Sequence, residues 1–222
     1  MSIASYIHDI EAQLPAGVRL VAVSKFHPLE ALREAYDAGQ RVFGERRAQE
    51  LAVKVPAMPY DVEWHFIGHL QTNKVRQVVR LATVIESVDS LKLLRLIDAE
   101  AARAGRTVDV LLQLHVAQEE AKWGFAPDEL LAIASRGELD GLDNVRLRGV
   151  MAMATFTPDE AQIESEFATV EQTFNALRAG AMAGNAAFNE LSMGMSDDWH
   201  IAVRHGSTLV RIGTAIFGAR EY

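Results

Sequence analysis

Residues 191–218 read LSMGMSDDWHIAVRHGSTLVRIGTAIFG, and their pattern decides the fold. A short apolar strand closes on a glycine turn at Gly194, and a helix follows that Asp197 or Asp198 would cap. A second apolar strand, Thr208 to Ile212, is then broken by Gly213 and Thr214. Strand, helix and strand with no hairpin turn between them predict two parallel strands joined by a crossover. A loop that opens on glycine and offers backbone N–H groups beside a hydroxyl can hold a phosphate without a full positive charge. Ser196 in the first turn and Gly213 with Thr214 in the second are therefore candidate phosphate contacts. Arg211 lies two residues before Gly213, so on a period-2 strand it points to the same side and would reach the rest of the ligand. Taken alone, the same residues also read as turn glycines and a solvated arginine, and the remainder of the chain decides between the two.

Working back toward the N-terminus, the same unit recurs. Ile3, Ile7, Ile10 and Leu14 mark an amphipathic helix closed by Pro15 and Gly17. Val18 to Ser24 is a near-continuous apolar strand ending at Lys25, and Pro28 suits the first turn of a helix that stops at Gly39. Arg41 to Gly44 precedes the helical ERRAQELAVK, and Trp64 to Ile67 precedes Gly68 and a helix with Val75, Val78 and Val79. Thr83 to Ser87 leads to Asp89, a candidate N-cap, and to a helix stopped by Gly105. Val108 to Val116 is followed by a helix after Pro127. Val145 to Met153 is followed by Thr157, Pro158 and Glu160, which read as a capping box, and Phe188 to Met193 supplies the seventh strand. Eight strands alternating with helices predict a single (β/α)8 TIM-type barrel over residues 1–222, with the helix of residues 1–15 packed on it; a doubly wound open sheet is the alternative.

Composition narrows the function. With 49% hydrophobic and 23% charged residues, 222 residues suffice for a substantial core. A net charge of −8 and a pI near 5.4 argue against nucleic acid or an anionic membrane as partner. The absence of cysteine excludes disulfides, thiolate metal sites and a cysteine nucleophile. No secretory signal is read at the N-terminus and no run reaches the ~18 apolar residues of a membrane helix, so a cytoplasmic protein is expected.

In a (β/α)8 barrel, functional groups gather where strands end, and phosphate is commonly held after strands seven and eight. Lys25, Gly44-Glu45-Arg46, His65 to His69 and Met151 to Met153 also fall at strand ends and are expected to converge. A lysine closing an apolar strand is partly desolvated, which lowers its pKa and frees an amine to condense with an aldehyde. Paired with a phosphate loop, that amine points to pyridoxal 5′-phosphate. His65 and His69 form a weak ligand pattern and no metal is expected. ERR at 45–47 reads as a solvated helix start, and Met151, Met153, Met193 and Met195 read as core or cofactor wall.

These segments also carry a resemblance. VAVSKFHP around Lys25, FGERRAQE at 43–50, WHFIGHLQTNKVR at 64–76, SVDS at 87–90, KWGF at 122–125, LRGVMAM at 147–153 and all of 191–218 together resemble the pyridoxal phosphate homeostasis protein family. The resemblance implies an alanine-racemase-like barrel without that enzyme's extra β-domain. It makes Lys25 the Schiff-base lysine, gives Ser196, Gly213 and Thr214 to the phosphate, and sets Arg211 against the pyridine nitrogen. Met193, Gly194 and Arg46 complete the expected cofactor-binding set. Arg46 stands where the family typically has Asn. Arginine stays protonated, so it can donate to the ring nitrogen but cannot take its proton, and a neutral ring is a poorer electron sink. A second base is not evident, since Tyr6, Tyr36 and Tyr60 lie away from strand ends and Tyr222 is terminal. The expected function is to buffer or deliver the cofactor, with PLP-dependent apoenzymes as recipients and little turnover. The alternatives are a PLP-dependent racemase or decarboxylase, and a cofactor-free Schiff-base lyase acting on a phosphorylated sugar.

Overall fold

The computed structural model describes residues 2–118 and 123–218. Eight parallel strands close a barrel in chain order: β1 (Arg19–Val23), β2 (Val42–Glu45), β3 (Glu63–Phe66), β4 (Val84–Val88), β5 (Val108–Gln113), β6 (Val145–Met151), β7 (Glu190–Ser192) and β8 (Leu209–Ile212). Closure is made by β1, whose Ala22 stands opposite Phe43 of β2 on one side and Ile212 of β8 on the other. That pairing excludes an open doubly wound sheet.

Each strand is followed by a helix: α2 (Leu29–Asp37), α3 (Ala48–Lys54), α4 (Val75–Leu81), α5 (Leu91–Arg103), α6 (Pro127–Ser135), α7 (Glu160–Ala179), α8 (Trp199–Arg204) and α9 (Thr214–Phe217). The last is a single turn, too short to cover its neighbours. α1 (Ile3–Glu11) packs between α2 and α9, burying Ile7 and Ile10 where a longer final helix would lie.

Two helix starts differ from expectation. α5 is capped by Ser90, which accepts from the Leu93 N–H at 3.3 Å, while Asp89 turns away to His69 Nδ1 at 3.0 Å. α7 is capped by Asp159, whose carboxylate accepts from the N–H groups of Ala161 and Gln162. Thr157 instead accepts from the Asp159 N–H, one step outside the helix. In each case two nearby cap formers compete; at α5 the tertiary partner His69 takes Asp89, and at α7 the choice is local.

Side-chain parity separates two environments. Leu20, Ala22, Phe43, Trp64, Phe66, Ile85, Val110 and Leu112 face outward into the main core under the helices. The inward set holds a small apolar cluster, with Val21, Val84, Leu111, Met151 and Leu209, and a column of charge. In that column Arg19 bridges Glu63 and Glu190, both at 3.1 Å, and Arg148 bridges Glu190 at 2.8 Å and Asp109 at 2.7 Å. Above them His65 sits fully buried, Nε2 at 2.9 Å from Glu63 and Nδ1 at 2.5 Å from Glu86. Both ring nitrogens face carboxylates, so both must donate and the ring is an imidazolium. Burial alone pulls its pKa down, but hydrogen bonds to Glu63 and Glu86 and their charges outweigh this and raise it to about 9. The hydrogen bond from His65 in turn holds the Glu63 carboxyl down near about 2.

The folded pKa of His65 thus lies above the unfolded value of about 6.5. Its stabilisation is complete below that value and is lost as pH rises through about 9. Urea unfolding between pH 6.5 and 9 is expected to show declining stability, with a shallower decline in His65→Gln. Parallel pH profiles for the two proteins would refute an imidazolium at this position.

Candidate active site

β1 ends at Val23, and the chain must turn sharply after Lys25 to enter α2. The turn falls on Phe26, whose φ of +68° is unusual for a residue with a side chain and costs roughly 1–3 kcal/mol. A buried cluster holds it there. The Phe26 N–H donates to Glu50 at 2.8 Å, and Glu50 accepts from Lys54 Nζ at 3.0 Å. Lys54 also donates to Glu45 at 2.6 Å and to the Ser24 carbonyl at 2.8 Å, and the Ser24 hydroxyl donates to Glu45 at 2.7 Å. Lys25 is thereby clamped through the backbone on both sides. Glu45, expected on a solvated helix start, is instead a fully buried residue of β2, because the strand runs one residue further than its apolar run. Burial raises its carboxyl pKa despite the lysine. Arg46 and Arg47 are the exposed part of that triplet, and the Arg47 guanidinium lies 4.3 Å from the Phe26 ring centroid.

The neighbouring strand brings the other half. Gly213 directly follows β8 and passes so close to β1 that a Cβ there would meet the Val23 carbonyl oxygen at 3.1 Å. It caps α9, and Thr214 begins that helix, exposed. The loop after β7 is braced by Asp198, which takes the N-cap position of α8 yet turns its carboxylate back to the Met195 N–H at 2.5 Å. Burial pushes the Asp198 carboxyl up. Gly194, at φ +94°, lets α8 pack on this loop, since a Cβ would lie 2.8 Å from Trp199 Cα. Its carbonyl accepts from the Arg211 N–H at 2.9 Å.

These segments enclose a cavity of about 360 Å³ at the C-terminal ends of the strands. Lys25, Arg46, Ser196, Arg211, Gly213 and Thr214 all line it. Met193 and Gly194 do not: the Met193 side chain is fully buried in the main core, and Gly194 acts one residue behind the wall. Met153 and Met195 are on the wall, whereas Met151 belongs to the inner apolar cluster. His65 also departs from the expected convergence, because it faces the barrel interior, while Ile67, Gly68 and His69 reach the cavity. His69 is held by Asp89 and stacked on Trp123 with centroids 3.9 Å apart, a pairing its separation in sequence conceals. Among the described residues no cluster of three metal-ligating side chains occurs; Lys122 of the KWGF block and Tyr222 lie outside them.

Arg211 forms the inner wall. Its guanidinium donates to Ser192 Oγ and, at 2.8 Å, to the Ala152 carbonyl. Burial lowers its pKa, opposed by the charges of Glu86 and Asp198. The site therefore offers an amine, a hydroxyl-and-backbone cradle suited to an anion, and a fixed cationic donor on one wall.

Comparison with known proteins agrees with this arrangement. The family described as alanine racemase, N-terminal domain, matches residues 2–221. A pyridoxal phosphate homeostasis protein of Haemophilus influenzae is 38% identical over 208 residues, covering 92% of this chain and 86% of its own. One from Pseudomonas aeruginosa is 40% identical over 209 residues, covering 94% and 87%. The structure of PipY from Synechococcus elongatus with PLP bound superposes with a TM-score of 0.88 at 39% identity, covering 98% of this chain and 100% of that one. An alanine racemase of Clostridium difficile shares the fold, with a TM-score of 0.77 at 13% identity; the match covers 100% of this chain and 56% of the racemase.

The clamp on Lys25 is testable without any ligand. Glu50→Ala removes the acceptor that holds Phe26 in its strained conformation and one counter-charge of Lys54, and is expected to lower the unfolding free energy by about 2 kcal/mol. Unfolding in urea at wild-type midpoint and slope would show that the turn holds itself.

Proposed function

The chain belongs to the pyridoxal phosphate homeostasis protein family, within the wider alanine racemase N-terminal domain family, and on that footing we propose that it binds pyridoxal 5′-phosphate at the mouth of its barrel and serves in that cofactor's homeostasis. The observation that carries this reading is the shared wall: Lys25, the anion cradle of Ser196, Gly213 and Thr214, and Arg211 all face one cavity. The donor set fits the molecule. A dianionic phosphate suits backbone N–H groups and hydroxyls, an aldehyde suits a partly desolvated amine, and a ring nitrogen suits a donor that never gives up its proton. Lys25 would hold the cofactor as a Schiff base through its side-chain amine. Arg46, on the same wall, adds positive charge at the mouth.

When bound, the cofactor supplies an electrophilic carbon joined to an electron-withdrawing ring. The residues around it favour keeping over transforming. Arg211 leaves the ring nitrogen unprotonated, and none of Tyr6, Tyr36 and Tyr60 lines the cavity to act as a second base. We therefore assign buffering or delivery with little turnover, by a cytoplasmic monomer that serves PLP-dependent apoenzymes. One observation favours the second reading, a racemase or decarboxylase: His69, oriented by Asp89, is a base candidate on the cavity wall.

Protein mixed with the cofactor is expected to develop an absorption band that borohydride removes and that Lys25→Ala lacks, with the reduced adduct mapping to Lys25 by mass spectrometry. Arg211→Glu, which favours a protonated ring, is expected to shift the band. No band in the wild type, or the adduct on another lysine, defeats the assignment. Rapid turnover of amino acids that Lys25→Ala abolishes would replace the carrier reading with the second one.

A further inference from the structure

Arg211 is nine-tenths or more buried, yet it belongs to the wall of a ligand cavity, so its charge must be answered from inside the barrel. The answer comes from a strand on the other side. Glu86 of β4 is fully buried, and its Oε2 lies 3.7 Å from Arg211 NH1. The same oxygen accepts from the Ser192 hydroxyl at 2.6 Å, and Ser192 in turn accepts from Arg211 NH1. The other oxygen of Glu86 is taken by His65. A carboxylate in this position does two things that a neutral group would not: it neutralises the guanidinium across a short gap, and it turns the Ser192 hydroxyl so that its lone pair faces the arginine.

We propose that Glu86 is the positioning residue for Arg211. Through Ser192 it holds the guanidinium in one orientation at the cavity wall, so that the arginine meets a ring nitrogen already ordered and no side-chain entropy is spent on binding. Glu86 itself does not touch the ligand. The identity of that ligand rests on the cofactor reading above; the contact between Glu86, Ser192 and Arg211 does not.

The test uses the full chain with and without cofactor. In cofactor-free protein, the Arg211 Nη–H resonances, identified by their loss in Arg211→Gln, are expected to be sharp and slow to exchange, and to broaden or vanish in Glu86→Gln and in Ser192→Ala. In loaded protein, each of these substitutions is expected to weaken pyridoxal 5′-phosphate binding about tenfold and to move its absorption band. Neither should have a further effect in an Arg211→Gln background, because the influence passes through the arginine. If Glu86→Gln does not fold, Ser192→Ala decides by the same criteria, since it leaves every charge in place. Unchanged affinity and spectrum, or equal losses with and without Arg211, overturn the proposal as a merely structural effect. A wild type that takes up no cofactor while the resonances behave as expected overturns the cofactor reading, and the purpose assigned to Glu86 with it.

Discussion

The pairing of the first strand with the last is the constraint on which the site depends. β1 and β8 lie at opposite ends of the sequence, yet Ala22 and Ile212 stand side by side in the closed barrel. Lys25 is three residues past one and Gly213 one residue past the other, so their separation is set by sheet geometry and not by loop conformation. The other strands complete the circle that makes these two neighbours and bring wall residues of their own, such as Arg46 after β2, His69 after β3, Gln113 of β5 and Ser196 after β7. The close approach of Gly213 to the Val23 carbonyl is the local sign of that closure: a larger residue there would push the cradle away from the lysine.

Much of this was legible in the chain. All eight strands were placed within a few residues, because each outward face is apolar and each strand is punctuated by a glycine, proline or cap former. Lys25, Ser196, Arg211, Gly213 and Thr214 were marked by position at strand ends and do line one cavity. What was missed shares a physical cause. Met193, read as core or cofactor wall and counted in the cofactor-binding set, is core, because one residue past a three-residue strand its side chain still falls on the outward side. Asp197 or Asp198 reads as the cap of α8, and Asp198 does take that position, but its carboxylate braces the loop before the helix. Glu45, Glu63, His65 and Glu86 carry charge inside strands, and nothing in the linear order says which charge each will meet.

Those interior charges give the barrel its character. Many barrels of this class fill their interior with layers of branched apolar side chains. Here an alternating series runs from Arg211 through Glu86, His65 and Glu63 to Arg19, with each charge between opposites. Burying one such group alone would cost several kcal/mol, and pairing recovers this only where the geometry is nearly complete. A column of this kind is therefore specific before it is stabilising. It admits few alternative arrangements, and it joins the cavity wall to the far end of the barrel as one rigid body.

Rigidity of this sort suits retention more than turnover. Catalysis at a pyridoxal ring needs a ring able to accept electrons and bases placed on both sides of the reacting carbon. The arrangement here supplies a firmly held guanidinium and a clamped amine, with His27, His69 and Asp197 also on the cavity wall. Binding energy directed at phosphate, aldehyde and ring nitrogen alike stabilises the bound cofactor without favouring any later transition state, which lowers a dissociation constant and leaves a chemical barrier where it was. On the proposed reading, a protein that keeps a reactive aldehyde available without spending it needs that balance, and the fixed arginine and the clamped amine are the two groups that set it.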